Sequence, residues 1–97
     1  MKRLTRRLII SGRMQRVGFR WALHAEARAL ALEGWVRNRR DGTVEALISG
    51  DPEAVEALTG WAFQGPSTAR VDQVLFNDEP DPRAGELEND FRLRPTF

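Results

Sequence analysis

Along this chain the apolar residues switch repeatedly between the two-residue spacing of a strand and the 3.6-residue spacing of a helix. The order of those switches constrains the fold more than any other feature. Residues 4–11, LTRRLIIS, alternate in part and end in β-branched residues, which predicts a strand. Gly12 to Gly18 then reads as a loop. Residues 20–32, RWALHAEARALAL, are strong helix formers, with Phe19, Leu23, Ala27 and Leu30 at helical spacing as the buried face and Gly34 as the expected end. WVRN (35–38) and TVEALIS (43–49) flank RRDG, a hairpin signal. Val44, Ala46 and Ile48 share one strand face, and Val36 joins them only if the connection holds an odd number of residues. A three-residue loop with Gly42 in the left-handed conformation meets that condition and puts Asn38 on the face of Val36.

The second half repeats the pattern. Asp51 is a good N-cap and Pro52 suits the first helical position; Val55, Leu58 and Ala62 form the apolar stripe, and Gly65-Pro66 stops the helix. ARVDQVLF (69–76) reads as a strand, the acidic and proline-marked residues 77–90 as a solvated loop, and FRLRPTF (91–97) as a short last strand with Phe91 and Leu93 on one face. The order β-α-β-β-α-β plus a short strand predicts an α+β, ferredoxin-like sandwich, two helices on one antiparallel sheet, in a single domain spanning 1–97. In that topology the first two strands are parallel, because a helix crosses between them. The glycine-marked loop and Asn38 are therefore expected at the same end of the sheet.

Charge narrows the function classes. Residues 1–40 hold eleven of the fifteen Lys and Arg but only Glu26 and Glu33 as acids, about +9 against about −8 for the remainder. A fold that groups the first forty residues suits an anionic partner, unless the two halves simply pair with each other. There is no cysteine, hence no disulfide, thiol nucleophile or thiolate metal site. No apolar run reaches the roughly 18 residues of a membrane span, and Leu8-Ile9-Ile10 is too short for a leader core, so we expect a cytoplasmic protein without a membrane partner.

The loop GRMQRVGFR (12–20) runs from a strand into a helix N-terminus. Such loops aim backbone N–H groups and the helix dipole at one point, which favours an anion, and Arg20 can add a bidentate grip. That loop, followed by GWVRN, DGTVE and GPSTARVDQV in order, resembles the acylphosphatase family over essentially the whole chain. The resemblance implies hydrolysis of the carboxyl–phosphate anhydride of small acyl phosphates without metal, cofactor or phosphoenzyme. It implies Arg20 and Asn38 as the catalytic pair and Gln15, Arg16, Val17, Gly18 and Phe19 as the phosphate-binding loop. Inorganic phosphate or sulfate is then the expected product-like ligand, and the expected state is a monomer.

Two positions depart from the family's usual loop, Met14 for valine and Arg16 for glycine. Arg16 is strained by roughly 1–2 kcal/mol if its φ must be positive, and it adds charge beside the anion. Ala31 replaces a common glycine and is expected to be harmless inside the helix. The single histidine, His24, reads as a packed or solvated helix residue. Trp21, Trp35 and Trp61 read as packing rather than a base-stacking platform, and Arg39 and Arg40 as hairpin-tip charges that extend the positive edge. The alternative is a phosphate- or RNA-binding module of the same fold. Nucleic acid is not expected, because neither predicted central strand carries an aromatic residue.

Overall fold

A computed structural model describes residues 3–14, 18–80 and 90–96. The elements are β1 (Leu4–Arg13), α1 (Phe19–Ala29), β2 (Glu33–Asn38), β3 (Val44–Gly50), α2 (Pro52–Ala62), β4 (Arg70–Asp78) and β5 (Phe91–Leu93). They build one five-stranded sheet in the order β4-β1-β3-β2-β5. All neighbours are antiparallel except β2 and β5, which run parallel, so the last strand makes the sheet mixed. This is the expected ferredoxin-like α+β sandwich. β1 and β2 flank β3 and are both antiparallel to it, so they point the same way.

The helix-side face follows the two-residue period. Leu8 and Ile10 of β1, Val36 of β2, and Val44, Ala46 and Ile48 of β3 are all buried under the two helices. Phe19, Leu23 and Ala27 come down from α1, and Val55, Leu58 and Ala62 from α2. Asp51 caps α2 as expected: its Oδ1 accepts from the Glu53 N–H at 2.9 Å, and Pro52 occupies the first turn. The hairpin also follows parity. Asn38 pairs with Val44, Arg39 N–H donates to the Thr43 carbonyl at 2.8 Å, and Gly42 sits at φ +92°.

Several expectations need correction. β1 does not yield to loop at Gly12; it continues to Arg13 through a register shift at Ser11/Gly12, because β4 keeps pairing with it there. α1 ends at Ala29 rather than Leu32. The Ala31 N–H donates to Arg28 O and the Leu32 N–H to Ala27 O, both at 3.0 Å, which closes the helix in a Schellman motif. Ala31 is thus outside the helix, at φ +57°, the left-handed position that glycine takes at least cost. Gly34 is a strand residue, not a helix stop. A Cβ there would lie 1.8 Å from the Leu47 carbonyl oxygen, so β2 and β3 approach too closely for a side chain.

The acidic stretch is not simply solvated. Asn77 and Asp78 belong to β4, and Asp78 and Glu79 each bind the Nε of an arginine at 2.6 Å, Arg6 and Arg7 respectively. Residues 81–89 lie outside the described residues. The sheet face without helices is covered around its centre. Trp35 and Leu47 are buried there, with the guanidinium carbons of Arg37, Arg94 and Arg7 at 4.7, 4.8 and 5.8 Å from a Trp35 ring centre. Arginine stems cover that apolar surface, and the heads of Arg37 and Arg7 donate to Glu45, from Arg37 Nε at 2.8 Å and Arg7 Nη1 at 2.9 Å. Trp21 is 60% exposed and Trp61 packs partly buried against the core.

Candidate active site

The end of the sheet reached by β1 and β2 is where the sequence-marked residues gather. Met14, just past β1, is buried in the core, so the apolar character of that position is used for packing. Gln15, Arg16 and Val17 lie outside the described residues. Gly18 then opens α1 as its N-cap at φ +73° and has no side chain to satisfy the first-turn N–H groups. The two helices differ here: α2 has the Asp51 cap and Glu53 in its first turn, whereas α1 has no side-chain cap and no acid in its first turn. The dipole of α1 is therefore left unopposed at its start, as an anion site requires.

Phe19 fixes where that helix begins. Its ring is 1% exposed and lies 5.5 Å, centre to centre, from Trp61 of α2. Arg20, the next residue, is half-buried. Its Nη1 donates to the Arg94 carbonyl at 3.0 Å, while its Nε is buried without a partner among the described residues. A buried guanidinium N–H with no acceptor is uncommon in a native protein, because it loses its water without replacement.

Asn38 arrives from the other side. It is the last residue of β2, paired with Val44, which in turn pairs with Ile10 of β1. The register turns its side chain to the helix side of the sheet, the face that α1 covers. Its amide makes no hydrogen bond among the described residues. Val36 pairs with Leu93 of β5, and the Arg94 N–H donates to the Val36 carbonyl at 2.8 Å. The carbonyl that holds Arg20 is thus about one residue short of Asn38 along parallel strands. Arg20 and Asn38 share one end of the molecule.

Two clefts, each of about 490 Å³, open at this end. One runs between Ser11–Met14 and Asp41–Thr43; the other lies between Arg39–Asp41 and Thr96. Asp41 borders both and keeps the hairpin tip in shape: its Oδ1 accepts from Thr43 Oγ1 at 2.6 Å and from the Thr43 N–H at 2.9 Å. Those bonds, the hydroxyl first, hold its carboxyl below the usual range. Charge is distributed accordingly. Arg3, Arg6, Arg7, Arg28 and Arg37 form ion pairs, whereas Arg13, Arg20, Arg39 and Arg40 form none among the described residues. The pairing of the two halves is therefore real, but it leaves the cleft end positive.

Residues 6–93 match the sequence model of the Acylphosphatase family. The chain belongs to the acylphosphatase family. It is 60% identical over 82 residues to the acylphosphatase of Thermococcus kodakarensis, covering 84% of this chain and 90% of that one. It is 47% identical over all 97 residues to that of Cupriavidus necator, covering the whole of both. Among solved structures, the acylphosphatase from Bacillus subtilis superposes with a TM-score of 0.85 at 32% identity, covering 94% of this chain and 98% of that one. In this acylphosphatase, sequence reasoning missed Arg94. Its contribution is a backbone carbonyl, which carries no residue-type signal, and only the placement of β5 brings it to Arg20.

Proposed function

We propose that this acylphosphatase hydrolyses the carboxyl–phosphate anhydride of small acyl phosphates, using Arg20 and Asn38 as its catalytic residues. The reading is carried by Arg20: a guanidinium pinned by one nitrogen to Arg94 O, with a buried Nε that has no partner among the described residues, at the uncapped start of α1. The phosphoryl group takes the donors of the loop that includes Gln15, Arg16, Val17, Gly18 and Phe19, together with Arg20. Phosphoryl transfer passes through a loose transition state, so donors placed where charge redistributes supply most of the catalysis. Asn38, with one acceptor and two donors, orients a water in line with the leaving carboxylate. The substrate's own phosphate oxygens take the water's proton. Water attacks phosphorus, the bond to the carboxylate oxygen breaks, and carboxylate and inorganic phosphate leave.

Neither motif contains an Asp, Glu or His for general-base work, and among the described residues no cluster of His, Cys, Asp or Glu is arranged to hold a metal ion. The protein acts on this reading as a cytoplasmic monomer of one domain, with inorganic phosphate or sulfate as its product-like ligand. The test is hydrolysis of acetyl phosphate by the wild type, Arg20→Ala and Asn38→Ala. We expect each substitution to lower kcat/KM on the order of a hundredfold or more while circular dichroism stays that of the wild type. Activity should survive a chelator, and its pH profile should lack an acid limb belonging to a side-chain base. A wild type that binds orthophosphate but does not turn over acetyl phosphate would overturn the assignment.

A further inference from the structure

The contacts of α1 with the segment that follows it in space form a regular series. Arg20, His24 and Arg28 lie four residues apart on one stripe of the helix. Arg20 Nη1 reaches Arg94 O at 3.0 Å, His24 Nε2 lies 3.1 Å from Phe91 O, and Arg28 Nη1 reaches Asp90 Oδ2 at 3.2 Å. The segment 90–94 is thus held along its length by one helix face. On its other side it is tied to β2, through Gly34 N–H to Asp90 O at 3.2 Å and Arg94 N–H to Val36 O at 2.8 Å. The strand at its centre is three residues long and, among the described residues, pairs with β2 alone.

We infer that His24 is a positioning residue for Arg20. It fixes the segment whose carbonyl at Arg94 holds the guanidinium at the angle that leaves Nε free for the phosphoryl group. The inference rests on the function proposed above. The three contacts are unequal. The Arg28–Asp90 pair is exposed on both sides, and such pairs contribute little. Arg20 cannot both be clamped by the segment and be what places it. His24 remains: half-buried, with its ring 6.2 Å from that of Phe91, which is itself fully buried. As the neutral Nε2–H tautomer or as imidazolium, His24 donates to the Phe91 carbonyl and so ties α1 to the first residue of β5. A small shift of a clamp relative to the reacting atoms has a large effect on rate.

Two substitutions separate the donor from the ring. His24→Phe keeps an aromatic ring against Phe91 and removes the N–H. His24→Gln removes the ring and offers an amide N–H at similar reach. The readouts are kcat and KM for acetyl phosphate, competitive inhibition by orthophosphate, and the Arg20 Nε–H resonance in NMR. We expect His24→Phe to weaken orthophosphate about fivefold, to lower kcat/KM by at least as much and to shift the Arg20 resonance. His24→Gln should stay within twofold of the wild type even if its melting temperature drops. A purely structural histidine would give the opposite order, and unchanged inhibition and resonance in a folded His24→Phe protein would overturn the inference. Should the wild type not hydrolyse acetyl phosphate, the proposed function fails, but orthophosphate affinity and the Arg20 resonance still decide the role of His24.

Discussion

Ala31 carries a cost that the helix before it does not show. Its φ of +57° places a Cβ where L-residues are disfavoured by roughly 1–2 kcal/mol, whereas glycine there loses about half of that gain to greater unfolded-state freedom. Ala31→Gly should therefore stabilise the protein by about 0.5–1 kcal/mol in urea unfolding, without changing activity. The helical composition of residues 20–32 hides this position, because propensity speaks only for residues that stay in the helix. Asp78 offers a second test. The hydrogen bond from Arg6, together with its charge, holds the Asp78 carboxyl below its ordinary value of 3.8. A depressed pKa in the folded state adds stability that is complete above the unfolded value and is lost as pH falls through the folded one. The stability difference between wild type and Asp78→Asn should be constant from pH 6 to 5, and shrink as the pH falls below about 4. A gap that widened on acidification would contradict the pairing. Arg6 itself is 4% exposed and retains Glu56 and Thr59, so the variant should remain folded at neutral pH.

The two helices have the same length and nearly the same apolar stripe, yet their first turns serve different ends. The start of α2 is built for stability. Asp51→Ala should cost about 1 kcal/mol, as loss of a helix cap does, and leave kcat/KM for acetyl phosphate unchanged. The start of α1 forgoes that stabilisation, and on the proposed function its uncapped N–H groups serve the phosphoryl group instead. This difference was legible in the residues: Asp-Pro before one helix, Gly-Phe-Arg before the other. The strands were less legible. Gly34 looked like a helix stop because a glycine after a helical run usually is one. Its actual reason, a carbonyl of β3 where a Cβ would be, exists only once the strands are paired. Gly34→Ala should therefore destabilise by more than 2 kcal/mol in the same unfolding assay, well beyond the usual cost of a surface substitution.

At the scale of the whole molecule, ion pairs neutralise Arg3, Arg6, Arg7 and Arg28, whereas Arg13, Arg20, Arg39 and Arg40 form none among the described residues, which favours a positive field at the cleft end. An oxyanion that binds there and not to the unfolded chain stabilises by mass action, about 2.7 kcal/mol at one hundred times its dissociation constant. Orthophosphate should accordingly raise the melting temperature of the wild type by several degrees, less so in high salt, and should leave that of Arg20→Ala almost unmoved. The sequence alone determined the order of elements, the parity of the β2–β3 hairpin, the Asp51 cap and the arrival of Asn38 at the same end of the sheet as the start of α1. Each of these follows from periods, turn chemistry and chain crossing that act over a few residues or through a single topological rule. Only the tertiary structure decided which edge receives β5, and hence that Arg94 offers its carbonyl to Arg20 and that His24 and Arg28 grip the same segment. It also decided that arginines roof Trp35 on the face without helices. Three residues of strand hold too little local preference to name a partner, and a backbone carbonyl looks the same in every residue, so long-range packing had to make those choices.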